Sequence, residues 1–468
     1  MNRHEFDIYL ELYKRGEFGR IPIGKYPDGS YFYMTDKQVQ TCELIADDQT
    51  LEVGYGGSAR GGKSIVECTI IIFDCFAYPG IAWGLCRKKL VVLKKTVLKT
   101  LYNQFNFYGI ALEKDYKFDG ELHIFTFKNK SEIFLIDTAF QPSDPLNTRF
   151  GGFELTRAAI DESNETDKET VNKIFERTGW RLNDVYGLKR KVFECFNPAK
   201  NHIYTRYYKP YRDKRESVNR RFIPALPGDN PNPEVQKWVE DMIKTADEIT
   251  IQRQIYGNFD YDDDPSTLVD YDALTDMFTN THVIPGDKRI SADLAMQGRD
   301  RFLAVYWRGL VGSFEIDKEK SSGKSIETDL TRLKTEKGVG NTRIIADADG
   351  LGNYLESYIN NIYEFRGGAR ASDPGLYDNL KSELAWLLAE RINKREIYII
   401  CTEDQQEKIK EEISICLKRQ NLDGDTQKRK LVNKEMMKQL IGRSPDFLDV
   451  LIMGMHAGRR VKKGMKAL

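Results

Sequence analysis

Short apolar runs alternate with longer segments of helical periodicity between residues 51 and 198. The runs predict buried strands, and the segments between them predict helices. The predicted strands are 51–54, 81–86, 157–160 and 192–196, and the predicted helices are 64–75 and 91–105. A hairpin is predicted from 122–127 and 132–137. This alternation predicts an α/β fold with a mostly parallel sheet covered by helices.

A cluster of chain breakers and like charges lies between residues 224 and 265. It contains a Pro-Gly-Asp-Asn-Pro-Asn-Pro run at 227–233 and an acidic run at 260–264. Such clusters are typical of domain boundaries. We therefore predict a first domain over 1–258, a linker over 259–280 and a second domain over 281–456.

The second half opens with three apolar runs separated by short turns, which predict antiparallel strands. Further strands are predicted closer to the helical C-terminal end. The predicted strands are 289–294, 302–307, 312–316, 343–346 and 396–401. This pattern predicts a second α/β domain, followed by a basic tail over 457–468.

The charge balance limits what a nucleic-acid surface would look like. The 468 residues carry 71 lysines and arginines and 71 acids, so such a surface must be a local patch, for example 88–89 or 459–463. The seven cysteines show no CxxC spacing and predict a reduced intracellular protein. No run reaches the roughly 18 apolar residues of a membrane span, so we expect a cytosolic protein.

A glycine-rich loop follows the first predicted strand and matches the pattern GxxxxGK[ST]. The loop consists of Gly57, Ser58, Ala59, Arg60, Gly61, Gly62, Lys63 and Ser64. Backbone amides of such a loop close around phosphate oxygens, while Lys63 reaches the terminal phosphates of ATP and Ser64 binds magnesium. A glycine-rich turn that happens to lie beside a lysine is the alternative.

Two adjacent carboxylates, Asp161 and Glu162, end the strand 157–160. Asp161 is placed to bind the magnesium ion, and Glu162 to orient and deprotonate the attacking water. An acidic pair of this kind, taken alone, usually indicates a solvated turn. The phosphate loop upstream favours the interpretation that the pair is catalytic.

Three more side chains are candidates for the nucleotide site. Arg60 and Arg149 are candidates for stabilising the negative charge that develops on the phosphates, in cis or from a neighbouring subunit, with ordinary surface arginines as the alternative. The Gln38 amide suits an adenine edge. Capping of a helix by Thr35 or Asp36 is the alternative reading of that segment.

Acids also end two strands and begin a helix in the second half. They are Asp293, with Asp300 in the following turn, then Asp347, and finally Asp446 and Asp449. If they converge, their repulsion requires a bound cation, and two Mg²⁺ or Mn²⁺ ions would support phosphodiester cleavage. Capping and turn formation are the alternative roles of each acid alone.

Taken in order, these motifs resemble those of the large terminase subunit of tailed bacteriophages. The resemblance runs from Gln38 through the loop and the Asp161-Glu162 pair to Asn197-Pro198, and then through the acids of the second half to 453. It implies an N-terminal P-loop ATPase of the additional-strand type and a C-terminal ribonuclease-H-like nuclease. It also implies ATP-driven movement of double-stranded DNA into a procapsid and cutting of concatemeric DNA.

The resemblance assigns roles to individual residues. It implies that Asn197 couples hydrolysis to movement, and that Asp293, Asp347 and Asp446 bind the nuclease metals, with Asp300 and Asp449 as auxiliary acids. The chain departs from the common pattern in the loop, where Arg60 precedes two glycines, and in the last motif, where valine follows Asp449. The second departure leaves open which of the last two acids holds the metal.

The implied partners are a portal protein and a small terminase subunit, in the cytoplasm of an infected bacterium. A homo-oligomeric ring is implied on the procapsid, with a monomer in solution as the alternative. One rival hypothesis is a DNA helicase or repair ATPase with a non-catalytic second domain, although a second-domain helicase motif is not recognisable. Another makes the second half a docking domain for a capsid protein.

Overall fold

The computed structural model describes the chain in two compact units, 1–261 and 262–468. The described residues are 1–26, 28–139, 141, 143–144, 147–261, 266–294, 301–319, 321–347, 361–420 and 428–456. The change of unit falls inside the segment 259–280. Both units combine helices with a large sheet, so the prediction of an α/β fold is confirmed.

The first unit contains ten strands and ten α-helices among its described residues. The strands are β1 Pro22–Lys25, β2 Tyr31–Tyr33, β3 Glu52–Gly57, β4 Ala82–Arg87, β5 Tyr116–Asp119, β6 Ile124–Phe127, β7 Glu132–Asp137, β8 Arg157–Ile160, β9 Val192–Phe196 and β10 Arg220–Ala225. The helices are α1 Arg3–Lys14, α2 Asp36–Ala46, α3 Lys63–Ala77, α4 Leu90–Lys95, α5 Val97–Phe107, α6 Lys168–Glu176, α7 Asn183–Tyr186, α8 Lys209–Arg212, α9 Pro233–Thr245 and α10 Glu248–Gln254.

Eight of these strands form one sheet, in the order β10-β3-β9-β8-β4-β7-β6-β5. The first six are mutually parallel, and the β6–β7 and β5–β6 pairs are antiparallel. Strands β8 and β9 are buried along their whole length, as expected for parallel strands covered on both faces. The predicted mostly parallel sheet and the predicted hairpin are therefore both present.

The segment predicted as one helix over 91–105 is two helices, α4 and α5. They meet at Thr96, whose backbone leaves the helical region with φ −118° and ψ −90°. The Thr96 hydroxyl donates to the Val92 carbonyl at 2.8 Å and accepts a hydrogen bond from Arg87 at 2.9 Å. The apolar periodicity could not show this break, because it depends on a contact with another element.

The second unit carries six strands in the order β15-β14-β11-β12-β13-β16. The strands are β11 Lys288–Asp293, β12 Phe302–Arg308, β13 Val311–Lys318, β14 Ile344–Asp347, β15 Tyr363–Phe365 and β16 Tyr398–Ile400. The helices are α11 Tyr271–Asp276, α12 Gly323–Lys337, α13 Leu380–Asn393, α14 Glu403–Cys416, α15 Lys434–Ile441 and α16 Asp446–His456. The first three strands are antiparallel as predicted, and β14 adds parallel to the other side of β11.

Helix α16 lies against β11 and β12 through specific contacts. The Ser291 hydroxyl donates to the Val450 carbonyl and accepts from the Trp307 indole, both at 2.9 Å. At Gly454 the backbone approaches so closely that an added Cβ would lie 2.4 Å from the Trp307 ring. This close packing fixes where the acids at the start of α16 lie relative to β11.

None of the described helices combines the length and the apolar character that crossing a bilayer requires. The seven cysteines are unpaired, and all except Cys401 are buried.

A buried carboxylate, Asp74, joins four elements of the first unit. It accepts hydrogen bonds from Tyr13 on α1 at 2.8 Å, Trp83 on β4 at 3.2 Å and Arg157 on β8 at 2.7 Å. Asp74 and Arg157 are both almost completely buried. A buried ion pair of this kind is costly to break from one side, because the remaining charge stays buried.

We expect Asp74→Ala to lower the free energy of unfolding of the first unit by about 3–5 kcal/mol, because the Arg157 guanidinium is left buried without its anion. Urea denaturation followed by intrinsic fluorescence measures this change. Asp241→Ala, at an exposed position on α9, is the matched control and should shift the midpoint little. Equal effects of the two substitutions would contradict the stabilising role of Asp74.

Candidate functional site

Three loops of the first unit start at the same edge of the sheet. The phosphate loop follows β3, Asp161 and Glu162 follow β8, and Asn197 follows β9. Strand β9 lies between the other two and is parallel to both, with Gly56 beside Phe196 and Ile160 beside Glu194. The carboxyl ends of the three strands therefore bring these motifs together.

The phosphate loop has a backbone that only glycine fits at two positions. Gly62, at the N-terminus of α3, has φ 78°, and an added Cβ would lie 2.7 Å from the Gln38 side-chain nitrogen. A Cβ at Gly61 would lie 2.9 Å from the Ala225 carbonyl oxygen. The loop thus packs tightly beside a helix N-terminus, which is the arrangement that binds phosphate through backbone amides.

The Lys63 ammonium group folds back over this loop. It donates to the Ser58 carbonyl and, at 2.9 Å, to the Asn197 side-chain oxygen. Burial lowers the pKa of Lys63, and the carboxylates of Glu162 and Asp161 oppose that effect. The positive charge of Lys63 is therefore held between the phosphate loop and the two acids.

The two acids turn sharply at the end of β8. Glu162 has a left-handed backbone, with φ 48°, which is a strained conformation for a residue other than glycine and is frequent at functional sites. Its carboxylate accepts a hydrogen bond from the Asn197 amide at 2.7 Å. Asn197 therefore contacts both Lys63 and Glu162 and bridges the two halves of the site.

Arg87, at the end of β4, is a site residue that sequence analysis missed. Its guanidinium contacts the Asp161 carboxylate at 2.5 Å. Burial raises the pKa of Asp161 to about 6, while Arg87 acts in the opposite direction. Arg87 lies near Asp161 because β4 and β8 are neighbouring parallel strands, with Cys86 beside Ile160. The order of strands in the sheet cannot be read from the sequence, so this contact could not be predicted.

The two arginines selected from the sequence make other contacts. The Arg60 guanidinium lies 4.8 Å from the ring centre of Trp238 on α9, and its carbonyl accepts from Asn230 at 3.0 Å. Arg149 donates to the Ala139 carbonyl at 2.6 Å and lies over the Phe150 ring. These contacts leave the predicted role of the two arginines in ATP hydrolysis a prediction.

The alternative prediction for the segment before α2, helix capping by Thr35, is confirmed. Thr35 caps the helix, and Gln38 completes the capping box by accepting from the Thr35 backbone amide at 2.9 Å. The Gln38 side-chain nitrogen also donates to the Gly62 carbonyl at 3.3 Å. Gln38 therefore touches the phosphate loop, while its contact with adenine remains a prediction.

Four acids selected from the sequence, Asp293, Asp347, Asp446 and Asp449, lie in one region of the second unit. Strands β11 and β14 are parallel with Ala292 beside Ala346, so Asp293 and Asp347 end adjacent strands. Burial strongly raises the pKa of Asp293, and repulsion from Asp449, Asp446 and Asp347, in that order, raises it further. Asp300 and the predicted tail 457–468 lie outside the described residues.

Two lysines missed by sequence analysis offset this negative charge. Lys381 lies 2.6 Å from the Asp449 carboxylate, and Lys434 lies 3.3 Å from it. Burial alone would raise the pKa of Asp449, but the two lysines hold it below its ordinary value. Carboxylate oxygens are the donors that Mg²⁺ and Mn²⁺ prefer. Among the described residues, however, no three His, Cys, Asp or Glu side chains are arranged so that they could hold one metal ion.

The first turn of α16 is fixed by a buried carboxylate on α14. Glu412 accepts from the Leu448 backbone amide at 2.8 Å and forms an ion pair with Arg443. The Arg301 backbone amide donates to Asp446 at 3.0 Å. These contacts position the two acids of α16 and were not foreseen, because they join segments far apart in the chain.

No family model matches the chain, and no curated protein matches its sequence. Several solved structures are similar to it. The large terminase of bacteriophage HK97 is 10% identical, with a TM-score of 0.46, and the match covers 94% of this chain and 99% of that one.

The large terminase of a thermophilic bacteriophage, solved in complex with ADP, is 15% identical, with a TM-score of 0.38 and coverage of 81% and 90%. The nuclease domain of the large terminase subunit of bacterial virus Sf6 is 18% identical, with a TM-score of 0.35; the match covers 41% of this chain and 98% of that domain. The three solved structures named here are thus large terminases of phages or a domain of one.

Proposed function

We propose that this chain is an ATP-driven DNA-packaging subunit that also cleaves DNA. The observation that carries the first half of the proposal is the contact of Asn197 with both Lys63 and Glu162. It unites the phosphate loop and the acidic pair in one site at the edge of the sheet. The convergence of acids on Asp293 supports the second half.

In the proposed ATPase, the loop amides and Lys63 bind the phosphates, while Ser64 and Asp161 hold magnesium. The metal, when bound, offsets negative charge on the phosphates. Glu162 then accepts a proton from the water that attacks the terminal phosphate. Asn197 touches both Lys63 and Glu162, so loss of that phosphate changes its contacts directly. Arg60, Arg149 and Arg87 are the candidate arginines for the transition state, and Gln38 is the candidate adenine contact.

In the proposed nuclease, Asp293 and Asp347 hold divalent metal together with an acid of α16. We assign that third position to Asp449 rather than Asp446. Two lysine ammonium groups lie 2.6 and 3.3 Å from the Asp449 carboxylate, so this position already accommodates positive charge. Asp446 instead accepts from the Arg301 amide and stays an auxiliary acid, as does Asp300. Two divalent metals held by these acids would supply activation of water and stabilisation of the leaving oxygen.

The proposed substrate is double-stranded DNA in the cytoplasm of an infected bacterium. A portal protein and a small terminase subunit are the proposed partners, and a ring on the procapsid is the proposed working assembly.

We expect Glu162→Gln to lower ATP hydrolysis at least about 100-fold while ATP binding persists, because only the proton acceptor is removed. Lys63→Ala should abolish ATP binding as well as hydrolysis, because the phosphates lose the ammonium group that binds them. Phosphate release and fluorescent-nucleotide titration measure the two effects. Lys99→Ala, at an exposed position in the first turn of α5, is the control for Lys63. Wild-type hydrolysis by Glu162→Gln would contradict the assignment of the acidic pair.

We expect wild-type protein to cut plasmid DNA with Mg²⁺ or Mn²⁺, and Asp293→Asn and Asp449→Asn to abolish cutting because each removes a metal ligand. Asp446→Asn should retain more activity than Asp449→Asn. Glu319→Gln, at an exposed position, is the control. A wild-type chain that hydrolyses ATP but leaves DNA intact with either metal would instead favour the helicase or docking-domain hypotheses.

A further inference from the structure

A basic segment of the first unit was not foreseen from the sequence. Residues 209–221 contain six lysines and arginines and two acids, in a chain with no net charge. The segment spans α8, the following loop and the start of β10. It is therefore a local basic patch of the kind that a neutral protein needs to bind a polyanion.

The segment forms an open cleft rather than a flat surface. The cleft has a volume of about 480 Å³ and is lined by Tyr211, Arg212, Lys214, Glu216 and Arg221. Tyr211 is 40% exposed, and the Arg221 side chain is 45% exposed. Glu216 accepts from the Phe222 backbone amide at 2.8 Å and lies 3.9 Å from the Arg221 guanidinium, so the cleft lining holds three cations and one acid. Arginine, lysine and tyrosine side chains at one surface are suited to phosphate oxygens of DNA.

One wall of the cleft is anchored to the end of the first unit. Tyr204 and Tyr208, on a π-helical turn that continues into α8, donate to Asp260 at 2.5 and 2.7 Å. Arg212 lies 3.3 Å from the same carboxylate. Single π-helical turns are frequent at functional sites. The tyrosines hold α8 and its arginine in place against Asp260.

A buried chain of hydrogen bonds connects this turn with the nucleotide site. Tyr207 donates to Glu194 on β9 at 2.5 Å, and Ser163, directly after Glu162, donates to the other oxygen of Glu194 at 2.5 Å. Glu194 and Tyr207 are both completely or almost completely buried. Two short hydrogen bonds therefore link the residue after Glu162 with the π-helical turn that leads into α8.

We propose that the cleft lined by Tyr211, Arg212, Lys214 and Arg221 binds the phosphodiester backbone of double-stranded DNA, and that the Ser163–Glu194–Tyr207 contacts make this binding respond to the nucleotide. The proposal rests on the proposed motor function and names where the motor holds its substrate. Backbone contacts are independent of base sequence, which a packaging motor requires. A cleft with few cations also allows release in each cycle, unlike an extensive basic surface.

The first test compares two double variants of the full chain that each remove two positive charges. Lys214→Ala/Arg221→Ala changes the cleft, and Lys117→Ala/Lys128→Ala changes exposed lysines elsewhere on the same unit. Fluorescence anisotropy with a 30-base-pair duplex, measured at several salt concentrations, gives the affinity. We expect the cleft variant to bind at least tenfold more weakly, with a salt slope smaller by roughly 0.9 for each phosphate that the protein no longer neutralises.

Equal affinity and equal salt slope in the two variants would overturn the DNA assignment. A parallel titration with polyglutamate distinguishes an acidic protein partner. Loss of polyglutamate binding with unchanged duplex binding in the cleft variant would also overturn it. Unchanged melting temperatures confirm that both variants are folded.

The second test concerns the buried contacts. In the wild-type protein we expect duplex affinity to differ at least threefold between the nucleotide-free and the Mg²⁺–ATPγS states. Tyr207→Phe should abolish that difference because it removes the hydrogen bond to Glu194, whereas Tyr186→Phe, a control hydroxyl elsewhere, should preserve it. An unchanged difference in Tyr207→Phe would overturn the coupling. Failure of the wild-type chain to bind ATPγS would instead contradict the proposed function itself.

Discussion

The parallel pairing of β3 with β9 and of β9 with β8 is the constraint on which the first unit depends. Parallel strands present their carboxyl ends at one edge, so three loops that are far apart in the chain meet there. Asn197 contacts both Lys63 and Glu162 because β9 lies between the other two strands. The glycines of the loop then allow the backbone to approach closely beside the N-terminus of α3.

Buried charge is the second feature of this unit. Asp161 pairs with Arg87, Asp74 with Arg157, and Glu194 accepts from a serine and a tyrosine. Burial of such groups is costly unless they are paired or hydrogen-bonded, so each of these contacts favours one arrangement of its elements. The two hydrogen bonds of Glu194 also link Ser163, next to Glu162, with Tyr207 on the turn before α8.

In the second unit, by contrast, side chains of like charge lie close together. Asp293, Asp347 and the acids of α16 repel one another, and Lys381 and Lys434 offset part of that repulsion at Asp449. Glu412 and Ser291 hold α16 in place from either side. These surrounding contacts thus hold the acids in one region although their like charges oppose ionisation of Asp293.

The sequence by itself determined the local motifs and the fold class. The phosphate loop, the acidic pair and the apolar strands are each encoded within a few consecutive residues. Hydrophobic periodicity and residue spacing were therefore sufficient to predict them. Only the tertiary structure decided which strands are neighbours. Arg87, Lys381, Lys434 and the basic cleft were therefore missed, as was the break at Thr96. Each depends on contacts between distant segments, whose geometry follows from sheet order and helix packing rather than from residue spacing.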